Sequence, residues 1–335
     1  MRLRMTGPAV VLAVFTAAAA ATPVHGYLKF GVTVNGESHT LAWTRGPVRY
    51  FVNDQDGPGL GAEDLQAAVA RAFAVWDAVP TSSISYEFAG FTAARPGEDD
   101  GRSTLGFLDR PDLEMVLAST SLLVDEVTGE ILESDIWFNT SFDWSVAASG
   151  ESTRFDLESI ALHEIGHFSG LGHSALGETE IRPGGGRRVI AAETVMFPIA
   201  YARGTTSGRT LRADDIAGIS DLYPTGAFTK ETGSLSGRIV QGGQGLYGVH
   251  VVAFDLARGT LVGGFTLDDQ GRFSIGGLLP GPHILRIEPL DDADLDSFFT
   301  PGLVDLDFRA RYAPTIRVVP RAGDAGELTI EVAPK

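Results

Sequence analysis

The sequence predicts an α+β domain, in which a twisted sheet carries three helices, followed by a small all-β sandwich. Three observations predict this order. Helical and strand periodicities are interleaved up to about residue 225. The stretch 226–234 is polar and contains glycine, and it reads as a linker. Beyond Ser234 only short strand-like runs remain, separated by turns rich in Gly, Pro and Asp. The expected division is a signal segment over 1–26, an α+β domain over 27–225, a linker over 226–234 and a β-sandwich over 235–335.

The elements follow in order. Arg2 and Arg4 precede an apolar run over 9–21 broken only by Thr16, and Val24 and Gly26 stand at cleavage spacing before Tyr27. That run is short for a membrane span and no basic stop-transfer cluster follows. The expectation is a mature protein with no stable membrane anchor, secreted or extracellular, with a periplasmic or cell-surface location as the alternative. Residues 48–52 are β-rich. From 62 to 79, Leu65, Val69, Phe73 and Trp76 recur at helical spacing. Residues 84–88 alternate as a strand does, and 114–124 is a longer strand candidate. Val127, Thr128, Gly129 and Glu130 form a turn into a strand over 131–139. Asp156 is a good N-cap for a second helix, and a third runs over 213–222 and stops before Pro224. The sandwich strands are expected at 236–240, 249–255, 272–275 and 283–288. A unit covering 27–226 is expected to fold without the sandwich.

Composition narrows the function. The 335 residues carry 43 acidic against 26 basic side chains, a formal charge of −17. Phosphate contacts need Lys and Arg, so no nucleic-acid partner is expected. There is no cysteine, which excludes disulfides and thiolate metal sites. Any metal must be held by histidines and carboxylates.

Only 7 histidines exist, and His163, His167 and His173 fall in one frame with Glu164, Gly170 and the spacing HExxHxxGxxH. Residues four apart share a helix face, with Cβ atoms roughly 5–6 Å apart. Two imidazoles so placed reach one zinc, whose Zn–N bonds are about 2.0–2.1 Å. Gly170 can take the left-handed conformation that ends a helix and turn the chain so that His173 becomes the third ligand. A fourth position stays open, as a catalytic zinc requires. Glu164 sits one residue round the helix, where it can hold and deprotonate a zinc-bound water. His25, His39, His250 and His283 are scattered and read as structural or surface residues.

The motif over His163 to His173 resembles the long zinc motif of the metzincins. Thr194, Val195, Met196, Phe197 and Pro198 look like the methionine turn of that group, and Ser174 is the residue typical of its matrixin branch. The run from Leu211 to Ile219 with Leu222 and Tyr223 is similar to the matrixin C-terminal helix, and Glu133 to Asn139 to the edge strand of bacterial matrixin-like proteases. The resemblance covers roughly residues 43–224. It implies a metzincin fold and a zinc metalloendopeptidase (EC 3.4.24 class). One catalytic Zn2+ would sit on His163, His167 and His173, Glu164 would be the catalytic base, and Met196 would form the apolar floor. The substrates would be extracellular proteins or peptides, with an extended chain pairing along the strand that ends near Asn139. The lack of cysteine excludes the cysteine-switch latency of animal matrixins, and no histidine between Leu41 and Leu162 is present to hold their second zinc. The excess of Asp leaves Ca2+ open, with Asp99, Asp100, Asp109 and Asp112 in loop-like sequence. The long connection from Ser174 to Thr194 reads as a surface excursion, with the wall of a specificity pocket as the alternative. Residues 266–281 resemble the carboxypeptidase regulatory-like sandwich. A zinc-binding or surface-binding protein without protease activity, using that sandwich as its binding module, is the alternative function. Intact Glu164 speaks against it, since a pure binding site has no use for a base.

Overall fold

The structure is a computed structural model that describes residues 2–6, 28–34, 37–113, 115–181, 187–290, 304 and 306–335. Most of the expected signal segment therefore lies outside the described residues. Its Arg2–Thr6 stretch is a strand, β1. A hairpin of β2 (Gly31–Val34) and β3 (Glu37–Thr40) leads into β4 (Val48–Asn53), α1 (Ala62–Asp77), β5 (Tyr86–Thr92) and β6 (Ser103–Leu108). Next come β7 (Ala118–Asp125), β8 (Ile131–Asn139), the short β9 (Trp144–Ser145) and β10 (Phe155–Asp156), and α2 (Leu157–Phe168). The main sheet has the order β1-β7-β8-β6-β4-β5. Its β8, β6, β4 and β5 run parallel, while β7 is antiparallel to β8.

This order corrects the expected substrate edge. The strand ending at Asn139 is interior, hydrogen-bonded to β6 on one side and β7 on the other. Among the described residues β7 lies between β8 and β1, with β1 pairing it over Ser121–Asp125. Alternation along a single strand reports which side chains are buried, not which strands flank it, so the sequence pattern could not separate the two.

The apolar stripe of α1 is buried as its spacing predicts. Leu65, Val69, Phe73 and Trp76 all lie in the main core with Tyr50, Leu105, Ile136, Phe138, Leu162 and Phe168. Burying each such side chain contributes about 1.5–3 kcal/mol. The Trp76 indole N–H would be an orphan there, but it donates to the Leu162 carbonyl at 2.9 Å and ties α1 to α2. The turn between β7 and β8 closes through Asp125, whose carboxylate accepts from the Val127 and Thr128 amides at 2.9 and 3.1 Å. Gly129 at φ +75° completes it, with the Thr40 carbonyl where a Cβ would stand.

After α2 a hairpin of β11 (Gly177–Ile181) and β12 (Arg187–Ala192) precedes α3 (Ala213–Leu222). The stretch read as a linker is not featureless. It holds a short helix, α4 (Gly226–Glu231), with Phe228 buried, and runs into β13 (Gly233–Gln241). Polar composition hid the helix because a six-residue helix exposes most of its side chains.

The C-terminal unit is all-β. It comprises β14 (Gln244–Gly245), β15 (His250–Asp255), β16 (Leu261–Phe265), β17 (Arg272–Leu278), β18 (Gly281–Glu288), β19 (Arg311–Tyr312), β20 (Arg317–Val319), β21 (Gly323–Asp324) and β22 (Leu328–Glu331). One sheet is built on β14-β13-β17, with β21 and β22 parallel to β13, and the other on β16-β15-β18. Leu235, Ile239, Val251, Phe273, Ile275, Leu285 and Ile287 fill the space between them. Strand β16 escaped the sequence reading because Gly263 and Gly264 dilute its apolar signal. Ala217 of α3 belongs to the same core, so the two units share packing at their junction.

Candidate metal centre

The centre is built on α2. Asp156 caps it, accepting from the Ser159 amide at 2.9 Å, as the sequence predicts. Arg209 pairs with the same buried carboxylate and offsets the cost of burying its charge. Met196 packs so closely on the helix that its Sδ lies 2.2 Å from where a Cβ of residue 166 would stand, so Gly166 is the residue that fits.

The C-terminal end of α2 sets the third ligand. Gly170 has φ +98°, with the Leu41 carbonyl 2.5 Å from a hypothetical Cβ. The Gly170 amide donates to the His167 carbonyl at 2.9 Å and the Leu171 amide to the Gly166 carbonyl at 3.0 Å. Together these form a Schellman stop. Two of the remaining orphan carbonyls find side-chain donors. The Trp43 indole reaches the Phe168 carbonyl at 2.8 Å, and the Tyr223 hydroxyl reaches the Ser169 carbonyl at 2.7 Å. The chain beyond Gly170 is braced by residues 28–30. Phe30 N donates to the Gly170 carbonyl at 2.9 Å, and Gly172 N to the Leu28 carbonyl at 2.8 Å.

The three predicted histidines meet. Each offers a ring nitrogen, and the three ligand atoms lie within 4.8 Å of one another. His163 Nδ1 is 2.7 Å from the Val195 carbonyl, and His167 Nδ1 is 2.8 Å from the Leu171 carbonyl. A carbonyl can only accept, so each Nδ1 carries the proton and each Nε2 presents a bare lone pair. Burial lowers the His163 pKa to about 4, against the opposing Val195 bond. Burial, then the neighbouring His163 and His173, hold His167 well below the ordinary value. Both are neutral at pH 7, as metal ligands must be. His167 Nε2 stands 3.1 Å from His173 Nε2. Two nitrogens each about 2.0–2.1 Å from one tetrahedral ion would be roughly 3.3 Å apart, so the residues fit zinc. Among the described residues this is the one group of three that could hold a metal ion. The loop aspartates give calcium no support: Asp112 pairs with Arg110 and Asp100 with Arg102.

Glu164 is buried beside the triad, and desolvation raises its pKa to about 7 while a Thr120 hydrogen bond pulls the other way. The Thr120 hydroxyl lies 2.6 Å from Glu164 Oε2 and 3.1 Å from the Glu164 carbonyl. Met196 lies under the site at 2% exposure. Its turn hangs on Asp215, which accepts from the Thr194 hydroxyl, the Val195 and Met196 amides and, at 2.8 Å, the Arg212 amide. Sequence reasoning missed Thr120, Asp215 and its neighbour Asp214. The available signal was two adjacent acids facing apolar residues at the start of α3, an arrangement that needs buried donors.

A cavity of about 350 Å³ opens beside His163 and Glu164, walled by Leu117, Phe155, Ile160, Val195, Phe197 and Tyr201. Arg187 and Ala192 line it as well, so the Ser174–Thr194 excursion borders the site and is more than a surface loop. His250 and His283 lie elsewhere, buried in the sandwich against Glu288 and the Gly281 carbonyl.

Comparison with known proteins agrees with this geometry. Residues 42–183 match the matrixin family. Metalloendoproteinase 4-MMP of Arabidopsis thaliana is 28% identical over 190 residues, covering 55% of this chain and 48% of that protein. Metalloendoproteinase 1 of Glycine max is 30% identical over 172 residues, covering 48% of this chain and 46% of that protein. Stromelysin-1 of Mus musculus is 24% identical over 184 residues, covering 55% and 33%. The chain spans about half or less of the length of these relatives. Over residues 42–183 its N-terminal unit is thus similar to the matrixins.

Proposed function

We propose that this protein is a secreted zinc-dependent endopeptidase that hydrolyses peptide bonds of extracellular proteins. The observation that carries the reading is the buried Glu164 carboxylate set beside three convergent imidazoles at the mouth of one apolar cavity. A zinc ion on His163, His167 and His173 would supply a Lewis acid that polarises the scissile carbonyl and acidifies water. Glu164 takes the proton of the attacking water and delivers it to the leaving amine. A carboxylate held in place beside the attacking water can accept its proton and then return it as an acid. Thr120 fixes the carboxylate rotamer through Oε2, leaving the other oxygen for the proton.

The cavity fits a large apolar side chain beside the scissile bond. An extended substrate would pair with main-chain groups of β7 near Thr120, whose hydroxyl meets Glu164. Incubating the protein with casein, with zinc and with a chelator, tests the reading. Cleavage that needs zinc and is lost in Glu164→Gln supports it. Zinc binding without cleavage of any unfolded substrate would leave the binding-protein alternative standing.

A further inference from the structure

We propose that the C-terminal sandwich positions the loop of the third metal ligand, with Asp214 as the residue that transmits the hold. The inference rests on the zinc-site reading above.

Asp214 is 2% exposed at the start of α3 and is satisfied from two sides. Its Oδ1 accepts from the Gly263 amide of the sandwich at 2.8 Å. The Ser174 hydroxyl bonds the same carboxylate. Ser174 directly follows His173, and its own amide donates to the Met196 carbonyl at 2.9 Å. One buried carboxylate thus joins a sandwich strand to the residue beside a metal ligand. Asp215, the next residue, holds the methionine turn in the same way.

The surrounding packing points the same way. A Cβ at Gly263 would stand 3.1 Å from Leu176 Cγ, so the backbone of β16 lies directly against the loop that leaves His173. Ala175 packs on a cluster of Leu28, Phe265 and Val304, and Leu28 in turn braces Gly172. Ala217, one helical turn from Asp214, is in the sandwich core, and a Cβ on Gly277 would come 2.7 Å from its Cβ. Apolar contact alone would allow the units to slide. The Gly263 and Ser174 hydrogen bonds are directional and fix the two chains in register. Burying a carboxylate for glue alone would be a poor exchange, since a well-packed apolar residue would serve as well.

The test uses the full chain and reads zinc affinity by chelator competition, with kcat and KM on an unstructured peptide and the melting temperature alongside. Asp214→Leu removes both hydrogen bonds, and Ser174→Ala removes the link to the ligand loop together with a long contact from the Leu176 amide at 3.4 Å. Each is expected to weaken zinc binding by about tenfold, the lower range for losing a group that orients a ligand. Asp214→Asn keeps an acceptor for Gly263 and a partner for Ser174, and is expected to restore affinity close to that of the unsubstituted chain. The proposal is overturned if Ser174→Ala keeps full zinc affinity, whatever its melting temperature. It is equally overturned if Asp214→Leu loses only melting temperature. Should Asp214→Leu fail to fold, Ser174→Ala decides alone. An unsubstituted chain that binds no zinc would overturn the metal reading itself, an outcome visible before any variant is compared.

Discussion

Gly166→Ala sets two opposed effects against each other inside the metal motif. Alanine in a helix interior gains roughly 1 kcal/mol over glycine through backbone entropy. Its Cβ, however, would stand 2.2 Å from Met196 Sδ, 3.0 Å from Met196 Cε and 3.2 Å from Trp76 Cζ2. Nonbonded heavy atoms sit at roughly 3.5–4.0 Å, so the sulfur must move by more than an ångström. Met196 cannot retreat as a unit, because its amide is held by Asp215 and its carbonyl by the Ser174 amide. The side chain must rotate within a packed core. Overpacking of this kind costs about 1–3 kcal/mol, and the depth of this overlap puts it at the upper end. The net effect is a loss of about 2 kcal/mol, or a fall of roughly 4–8 °C in melting temperature for a domain of this size. Zinc affinity should fall with it, since the turn carrying Met196 also supplies the Val195 carbonyl to His163. Thermal unfolding followed by circular dichroism, with zinc present, measures the first, and chelator competition the second. A melting temperature at or above that of the unsubstituted protein would refute the argument that Met196 dictates glycine here.

Further outcomes are expected. Glu164→Gln should keep zinc and lose roughly 10²–10⁴-fold in kcat, the worth of a positioned base; near-normal peptidase activity with zinc bound would sink the mechanism. His167→Ala removes a ligand, so zinc and activity should vanish together in metal analysis and digestion, and the unsubstituted chain should hold one zinc. Thr120→Val should lower kcat by about tenfold with KM and zinc content unchanged, and Thr120→Ser should restore it; an unaltered kcat would show that Thr120 does not orient Glu164. Burial raises Asp214 to about 7, against the Ser174 bond. Below its unfolded pKa the acid is protonated in both states, whereas between about 4 and 7 the folded state binds the extra proton. Its contribution to stability is therefore lost as pH rises through that window, and Asp214→Asn should flatten the slope of denaturant midpoint against pH there; an unchanged slope would contradict it.

The sequence by itself determined the parts that depend on neighbours along the chain. Spacing of four on a helix places His163 and His167 together whatever else surrounds them, and the Gly170 stop that delivers His173 is a local conformational demand. The α1 stripe of Leu65, Val69, Phe73 and Trp76 and the Asp156 cap are legible for the same reason. What only the tertiary structure decided involves partners distant in sequence. Thr120 meets Glu164 across 44 residues, and Gly263 meets Asp214 across 49. Which strand is outermost, which loop walls the cavity and whether the two units are independent all depend on such meetings. Local periodicity records that a side chain is buried; it carries no record of what buries it, because burial is a sum over contacts that any well-packed partner can satisfy.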